Sequence, residues 1–289
     1  MTTPPTHATI DDASNTTDAD RATDADETER PRDAATVDDP GLAAIAPAST
    51  LAAVLDAAGV VVDECIVDVT PDGIAITAID AATVGMVDLH LDAAAFHAYD
   101  ATTMQFGVDL DRLRDVLALA DRDDPVELVV DATTRTLHVR IDELAYQLAL
   151  LDPDVVRSPP DTVAIADDLD ATVTVDGSVL VRAIDAADMV ADTLELGLDR
   201  DPDRLYARAD GDADTVDFER PASDCHAIDP APAHSLFSVD YLTTLTRVLP
   251  TDAPVDVELD EDAPIAFGYD VADGDGRIQL LVAPRLSRT

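Results

Sequence analysis

Lysine does not occur in this 289-residue chain, and neither does tryptophan. Aromatic residues reach only 3%, so any core must be built from Ala, Val, Leu and Ile. Glycine is scarce as well, at 11 residues, and no Gly-rich loop that could cradle a phosphate can be assembled from them. Two cysteines, Cys65 and Cys225, cannot staple a chain of this length, which excludes a disulfide scaffold. No apolar run approaches the roughly 18 residues of a membrane helix, and the first residues hold no apolar signal core. We therefore expect a soluble, cytoplasmic protein with no membrane association.

The sequence is rich in acid. Against 18 basic residues, all arginine, stand 61 acidic ones, 52 of them Asp, for a formal net charge of -43. In dilute buffer such a charge repels itself and weakens the fold. At molar salt the Debye length shrinks to about 3 Å and the repulsion is screened. The composition reads as adaptation to high internal salt, and it removes a basic patch as the usual sign of nucleic-acid binding. Hydrophobic residues still make up 47%, enough for two domains with real cores.

Residues 1–41 hold almost no large apolar side chain and are expected to be a disordered acidic tail. Beyond them the chain repeats itself. Leu51, Leu55, Asp56, Ala57, Ala58 and Asp63 match Leu180, Ile184, Asp185, Ala186, Ala187 and Asp192, each pair 129 residues apart. Phe106-Gly107-Val108-Asp109-Leu110 resembles Phe237-Ser238-Val239-Asp240-Tyr241 at a spacing of 131, and the run from Pro125 to Asp131 resembles that from Pro254 to Asp260 at 129. Three blocks in one order imply a duplicated domain. Each copy reads as a helix (Ser49 to Ala58; Ser178 to Val190), alternating strands such as Ile74–Ala78 and Met86–Leu91, a second helix capped by Asp109 or Asp240, and closing strands such as Glu127–Val130 and Leu137–Ile141. The class is α+β. We place domain 1 at residues 42–150, a Pro-broken linker at 151–170 and domain 2 at 171–289.

No catalytic constellation emerges. His90 and His138 alternate within strands and read as structural. Cys225, His226 and His234 lack a fourth ligand at zinc spacing. Asp199, Asp201 and Asp203 suggest a calcium loop, but its sixth position is not Gly and its twelfth is Asp210. Cys65 opens a strand and reads as a small buried hydrophobe. We expect no enzyme, no metal and no cofactor.

Asp63-Glu64-Cys65, Ala78-Ile79-Asp80, Val84-Gly85-Met86-Val87 and Leu281-Val282-Ala283-Pro284-Arg285 resemble archaeal proliferating cell nuclear antigen, the DNA sliding clamp. Similarity to haloarchaeal clamps extends through Asp92–Phe96, Leu148–Asp154, Ala186–Val190 and Ser235–Leu242, covering roughly residues 42–286. The resemblance implies two tandem clamp domains in each of three identical chains, with helices lining the hole of a trimeric ring and sheets forming its outer wall. Duplex DNA would thread the hole, bound without regard to sequence. DNA polymerase, clamp loader, and enzymes of the flap endonuclease and ligase type would dock through a short peptide. The pocket it implies for that peptide comprises Ile79, Val84, Met86, Leu281, Ala283 and Pro284, with Val163 from the linker.

The family's basic inner face is where this chain departs from the pattern. Arg182 and Arg247 keep a basic residue there, whereas other matching positions hold Gly59, Asp115, Ala118, Asp185 and Asp240. Arg112 and Arg114 sit slightly off the family positions, where pairing with Asp111 and Asp115 competes with DNA. The strands expected to pair across subunits lie near Thr136–Ile141 and Leu205–Phe218. The alternative is a divergent clamp paralogue that acts as a protein-binding scaffold or regulator and no longer encircles DNA.

Overall fold

The structure, a computed structural model, describes residues 40–159, 169–229 and 231–285. All but the last two residues of the expected tail, and the middle of the expected linker, lie outside the described residues. The first half runs β1 (Leu42–Pro47), α1 (Ala48–Gly59), β2 (Glu64–Thr70), β3 (Gly73–Ile79), β4 (Gly85–Asp92), β5 (Ala98–Ala101), β6 (Met104–Asp109), α2 (Leu110–Leu117), β7 (Pro125–Asp131), β8 (Thr136–Ile141) and β9 (Leu144–Ala149). The second half repeats that order: β10 (Ala171–Asp176), α3 (Gly177–Asp188), β11 (Thr193–Arg200), β12 (Asp203–Asp210), β13 (Thr215–Pro221), β14 (Ala227–Asp229), β15 (Ala233–Ser238), α4 (Val239–Thr246), β16 (Pro254–Leu259), β17 (Ile265–Val271) and β18 (Gly276–Val282).

The duplication extends to individual hydrogen bonds. Leu42 faces Val130 where β1 meets β7, and Ala171 faces Leu259 where β10 meets β16. The first amides of α1, on Ala48 and Ser49, donate to the carbonyls of Asp124 and Arg122; those of α3, on Gly177 and Ser178, donate to Ala253 and Thr251. Every one of these positions shifts by 129 residues between halves. The block read at a spacing of 131 does not fit this register. Cys65 pairs with Val108, and Leu194 pairs with Phe237, so Val108 and Phe237 are the equivalent residues. A slip of two preserves the in–out alternation of a strand, so sequence pattern alone cannot detect it.

The slip also misplaced one helix start. Asp109 does cap α2, its carboxylate accepting the Arg112 amide at 3.0 Å. Its counterpart is Ser238, not Asp240, which lies in the first turn of α4. In α3 the helix ends at Asp188, two residues before the expected Val190.

Strands form three sheets among the described residues. One, ordered β5-β1-β7-β8-β9, belongs to the first half; another, β13-β12-β11-β15, belongs to the second. The third has nine strands, β14-β10-β16-β17-β18-β4-β3-β2-β6, and crosses between halves where β18 pairs antiparallel with β4. The halves are thus joined by a continuous backbone ladder from Gly276↔Leu91 to Val282↔Gly85. Helix α1 packs on α2 and α3 on α4, burying Leu51, Leu55, Leu113, Leu180, Ile184 and Leu242 at helical spacing against the sheets.

The strands expected at the subunit boundary need correction in part. β8 (Thr136–Ile141) and β12 are interior strands, whereas the last residues of the Leu205–Phe218 span, Thr215–Phe218, lie on β13 at the end of its sheet. β9 and β13 end their sheets, as do β5, β6, β14 and β15. β8 buries Leu137, Val139 and Ile141 in strict alternation and so gave the clearer signal. β9 exposes five of its six residues and lacks that alternation.

Candidate functional site

Side chains in the nine-stranded sheet sort by parity. In β4, β18 and β17, Val87, Leu89, Ile278, Leu280, Ile265 and Phe267 join the main core. Their alternate neighbours must point to the other face. There Ala266 pairs with Leu281, Leu281 with Met86, and Met86 with Ile79, one residue from each of four adjacent strands. These four form a separate apolar cluster, and Leu169, at the end of the linker, packs against it.

Of the pocket residues expected from sequence, Ile79, Met86 and Leu281 therefore come together. Val84, Ala283 and Pro284 are half-buried near the end of the row, where the Ala283 amide donates to the Val84 carbonyl at 2.8 Å. Val84 itself packs toward the main core. Val163 lies outside the described residues. Ala266 and Leu169 were missed: a lone alanine carries no periodic signal, and only strand register brings it into line.

Asp80 fixes the turn from β3 to β4 that carries Val84. Its carboxylate accepts amides from Ala82, Val84 and Gly85, and the Tyr241 hydroxyl of α4 at 2.8 Å. Burial pushes this carboxyl up, but the amide and phenol donors outweigh it and hold it below its usual range. The same bond pushes the Tyr241 phenol up. A cleft of about 280 Å³ opens beside this link between halves, lined by Val60, Val61, Asp240 and Thr244 among others.

The helix side carries the other expected set. Arg182 on α3 and Arg247 at the end of α4 are exposed, with no ion-pair partner among the described residues. Arg112 is exposed and paired with Asp109 at 3.3 Å. Arg114 is engaged throughout: Nε on Asp56 at 3.1 Å, Nη1 on Asp111 at 3.1 Å, and Nη2 on the Leu55 carbonyl at 2.8 Å. It braces α2 against α1. Arg122, which sequence reasoning overlooked, lines a groove of about 700 Å³ between those two helices.

Two of the sheet-end strands, β9 and β13, share a property. α2 packs beside β9, and α3 beside β13. Five large apolar side chains are exposed among the described residues. Leu144 and Tyr146 lie on β9, Leu119 follows α2, Met189 follows α3, and only Val155 lies away from these two ends.

The residues weighed for chemistry take structural places. Cys65 is fully buried, and burial pushes its thiol up to about 12. The His226 ring is 2.7 Å from Asp176, and Cys225 donates to the Pro221 carbonyl. His90 is exposed on β4 and His138 half-buried on β8. Asp199 accepts from Arg204 across the β11–β12 hairpin.

Residues 42–153 match the family model of the proliferating cell nuclear antigen N-terminal domain. The DNA polymerase sliding clamp of Haloarcula marismortui is 44% identical over 243 residues, 84% of this chain and 98% of that protein. That of Halobacterium salinarum is 43% identical over the same shares. Among solved structures, A. fulgidus PCNA bound to the C-terminal region of FEN-1 superposes with a TM-score of 0.79 at 26% identity, covering 86% of this chain and all of that one. PCNA from Thermococcus kodakaraensis gives 0.77 at 25% identity, covering 84% and 100%. Family model, whole-length relatives and fold agree, and the chain belongs to the DNA polymerase sliding clamp family, that of proliferating cell nuclear antigen.

Proposed function

We propose that three copies of this chain close into a ring around duplex DNA and hold DNA polymerase on it. The observation that carries this reading is that two unlike sheet-end strands, β9 and β13, lie where the exposed apolar side chains gather. Pairing β9 of one copy with β13 of the next is a head-to-tail contact between copies. A head-to-tail contact closes into a ring when its rotation permits. Two equivalent halves per chain give a pseudo-sixfold ring from three chains. The apolar residues beside both edges suit burial in such a joint.

The clamp is a non-catalytic tether acting in the cytoplasm. The row Ile79, Met86, Leu281 and Ala266, with Val84, Ala283 and Pro284 at its end, is the seat for a partner peptide. The relative from A. fulgidus carries the C-terminal region of FEN-1, which supports peptide docking as the mode of recruitment. Polymerase, clamp loader, and flap endonuclease and ligase type enzymes are its expected users. Arg182 and Arg247 are the DNA-facing residues.

A second reading has one observation behind it. Arg112 and Arg114 hold partners within the chain, which leaves the helix side poor in free cations and suits a scaffold that does not encircle DNA. Light scattering in molar KCl, followed by retention on circular against linearised DNA, separates the two. A trimer kept on circles and lost from linear DNA is expected. A stable monomer sinks the ring, and a trimer that stays on neither DNA leaves the scaffold.

A further inference from the structure

The two halves of the chain can be read against each other at 129 residues. Arg182 and Arg247 stand on the helix side of the second half. Their counterparts in the first half are Ala53 and Ala118. Both alanines line the groove of about 700 Å³ between α1 and α2. That groove therefore lies where two arginine side chains would stand, and a third basic residue borders it. Arg122 belongs to the turn Asp121–Asp124, and its counterpart in the second half is Thr251.

The turn that presents Arg122 is tightly held. The Asp121 amide donates to the Asp124 carboxylate at 2.7 Å, and the Asp124 amide donates back to the Asp121 carbonyl at 3.0 Å. The carbonyls of Arg122 and Asp124 receive the first amides of α1. The Thr251 carbonyl receives the Ser178 amide in the same way. Backbone position is thus shared between halves, and the basic side chain is not. Arg122 is exposed and, among the described residues, forms no ion pair. Arg112 and Arg114 on the neighbouring helix both do.

Resting on the ring reading above, we infer that Arg122 is the phosphate contact of the first half, taking the place left by Ala53 and Ala118. Each chain then meets the duplex through three arginines: Arg182 and Arg247 from one half, Arg122 from the other. Asp56 and Asp115 also line the groove. At molar salt, where the Debye length is about 3 Å, their repulsion fades before it reaches a phosphate, whereas a direct guanidinium–phosphate contact persists.

The test is the salt dependence of duplex binding by the full-length trimer. Each phosphate contact contributes about 0.9 to the slope of log K against log[KCl]. Arg122→Ala should lower the slope by about 0.9 for every protomer whose Arg122 touches the duplex, and Arg122→Lys should restore it. Light scattering confirms that both variants remain trimers. The Arg182→Ala plus Arg247→Ala double variant serves as reference. If the double variant lowers the slope and Arg122→Ala does not, the inference is overturned and the ring reading stands. If neither changes it, the inference and the DNA-facing assignments fall together.

Discussion

Replacing glycine by alanine in a helix normally stabilises by about 0.5–1 kcal/mol, because glycine loses more backbone freedom on folding. At Gly59 the sign should reverse. A methyl group there would lie 1.6 Å from Arg114 Nη2 and 2.5 Å from Cζ. The guanidinium must leave, and with it go the bonds to Asp56, Asp111 and the Leu55 carbonyl. The two ion pairs reach exposed carboxylates and are worth only a few tenths of a kcal/mol each at high salt. The part-buried bond to Leu55 is the larger loss, about 1–2 kcal/mol for a charged donor. Against the helix gain, Gly59→Ala should destabilise by about 1 kcal/mol. For a chain of this size that lowers Tm by roughly 2–4 °C.

The decisive measurement is a double-mutant cycle in thermal or denaturant unfolding at fixed KCl. With Arg114→Ala already in place nothing blocks the methyl, and Gly59→Ala should stabilise by about 0.5 kcal/mol. A stabilisation of the same size in both backgrounds would refute the brace. The second half offers a natural control. The counterparts of Gly59 and Arg114 are Asp188 and Thr243, so glycine and arginine are lost together. Thr243 Oγ1 is buried there without a hydrogen-bond partner among the described residues.

Tyr241→Phe removes the phenol that bonds Asp80 and should cost about 1 kcal/mol in unfolding. Because the Asp80 carboxyl sits below its usual range when folded, its contribution is present above the unfolded carboxylate pKa. It is lost as pH falls through the lower folded value, so Asp80→Asn should flatten the acid limb of stability against pH. Leu144→Asp with Tyr146→Asp, both on the free edge β9, should yield a folded monomer by light scattering; a mass still three times that of the chain would contradict the β9–β13 joint. Leu281→Ala should weaken an anchor peptide of the flap endonuclease type about tenfold by fluorescence anisotropy, while leaving the trimer intact.

What could be read from sequence follows a physical line. Alternation and helical spacing report burial, so the duplication, both helix pairs and the strands around Ile76, Val87 and Leu137 were legible. Register is a relation between strands, and it was not. A slip of two residues left every side chain on its proper face and put Asp240 in the place of Ser238. The edge strand β9 was missed because an edge that exposes Leu144 and Tyr146 breaks the alternation by which strands are recognised. In the pocket, Met86 and Leu281 were reached through family motifs, whereas Ala266 needed the pairing Ala266↔Leu281 to be seen.

The distribution of arginine makes sense in the same terms. Arg204 bridges Asp199 and Glu219, Arg208 pairs with Asp217, Arg277 joins Asp256 to Asp270, and Arg135 holds Asp152. Such contacts span about 3 Å, no more than the Debye length in molar salt, so they survive where longer-range attraction does not. The gain from releasing counterions off DNA shrinks as salt rises. Under those conditions an arginine contributes more by stapling strands of a chain whose net charge is -43 than by attracting phosphates. A closed ring tolerates that exchange, since topology keeps it on DNA without affinity. It needs only enough inner contacts to hold the duplex away from its own carboxylates, and the proposed trio of Arg122, Arg182 and Arg247, which form no ion pair among the described residues, is a set of that modest size.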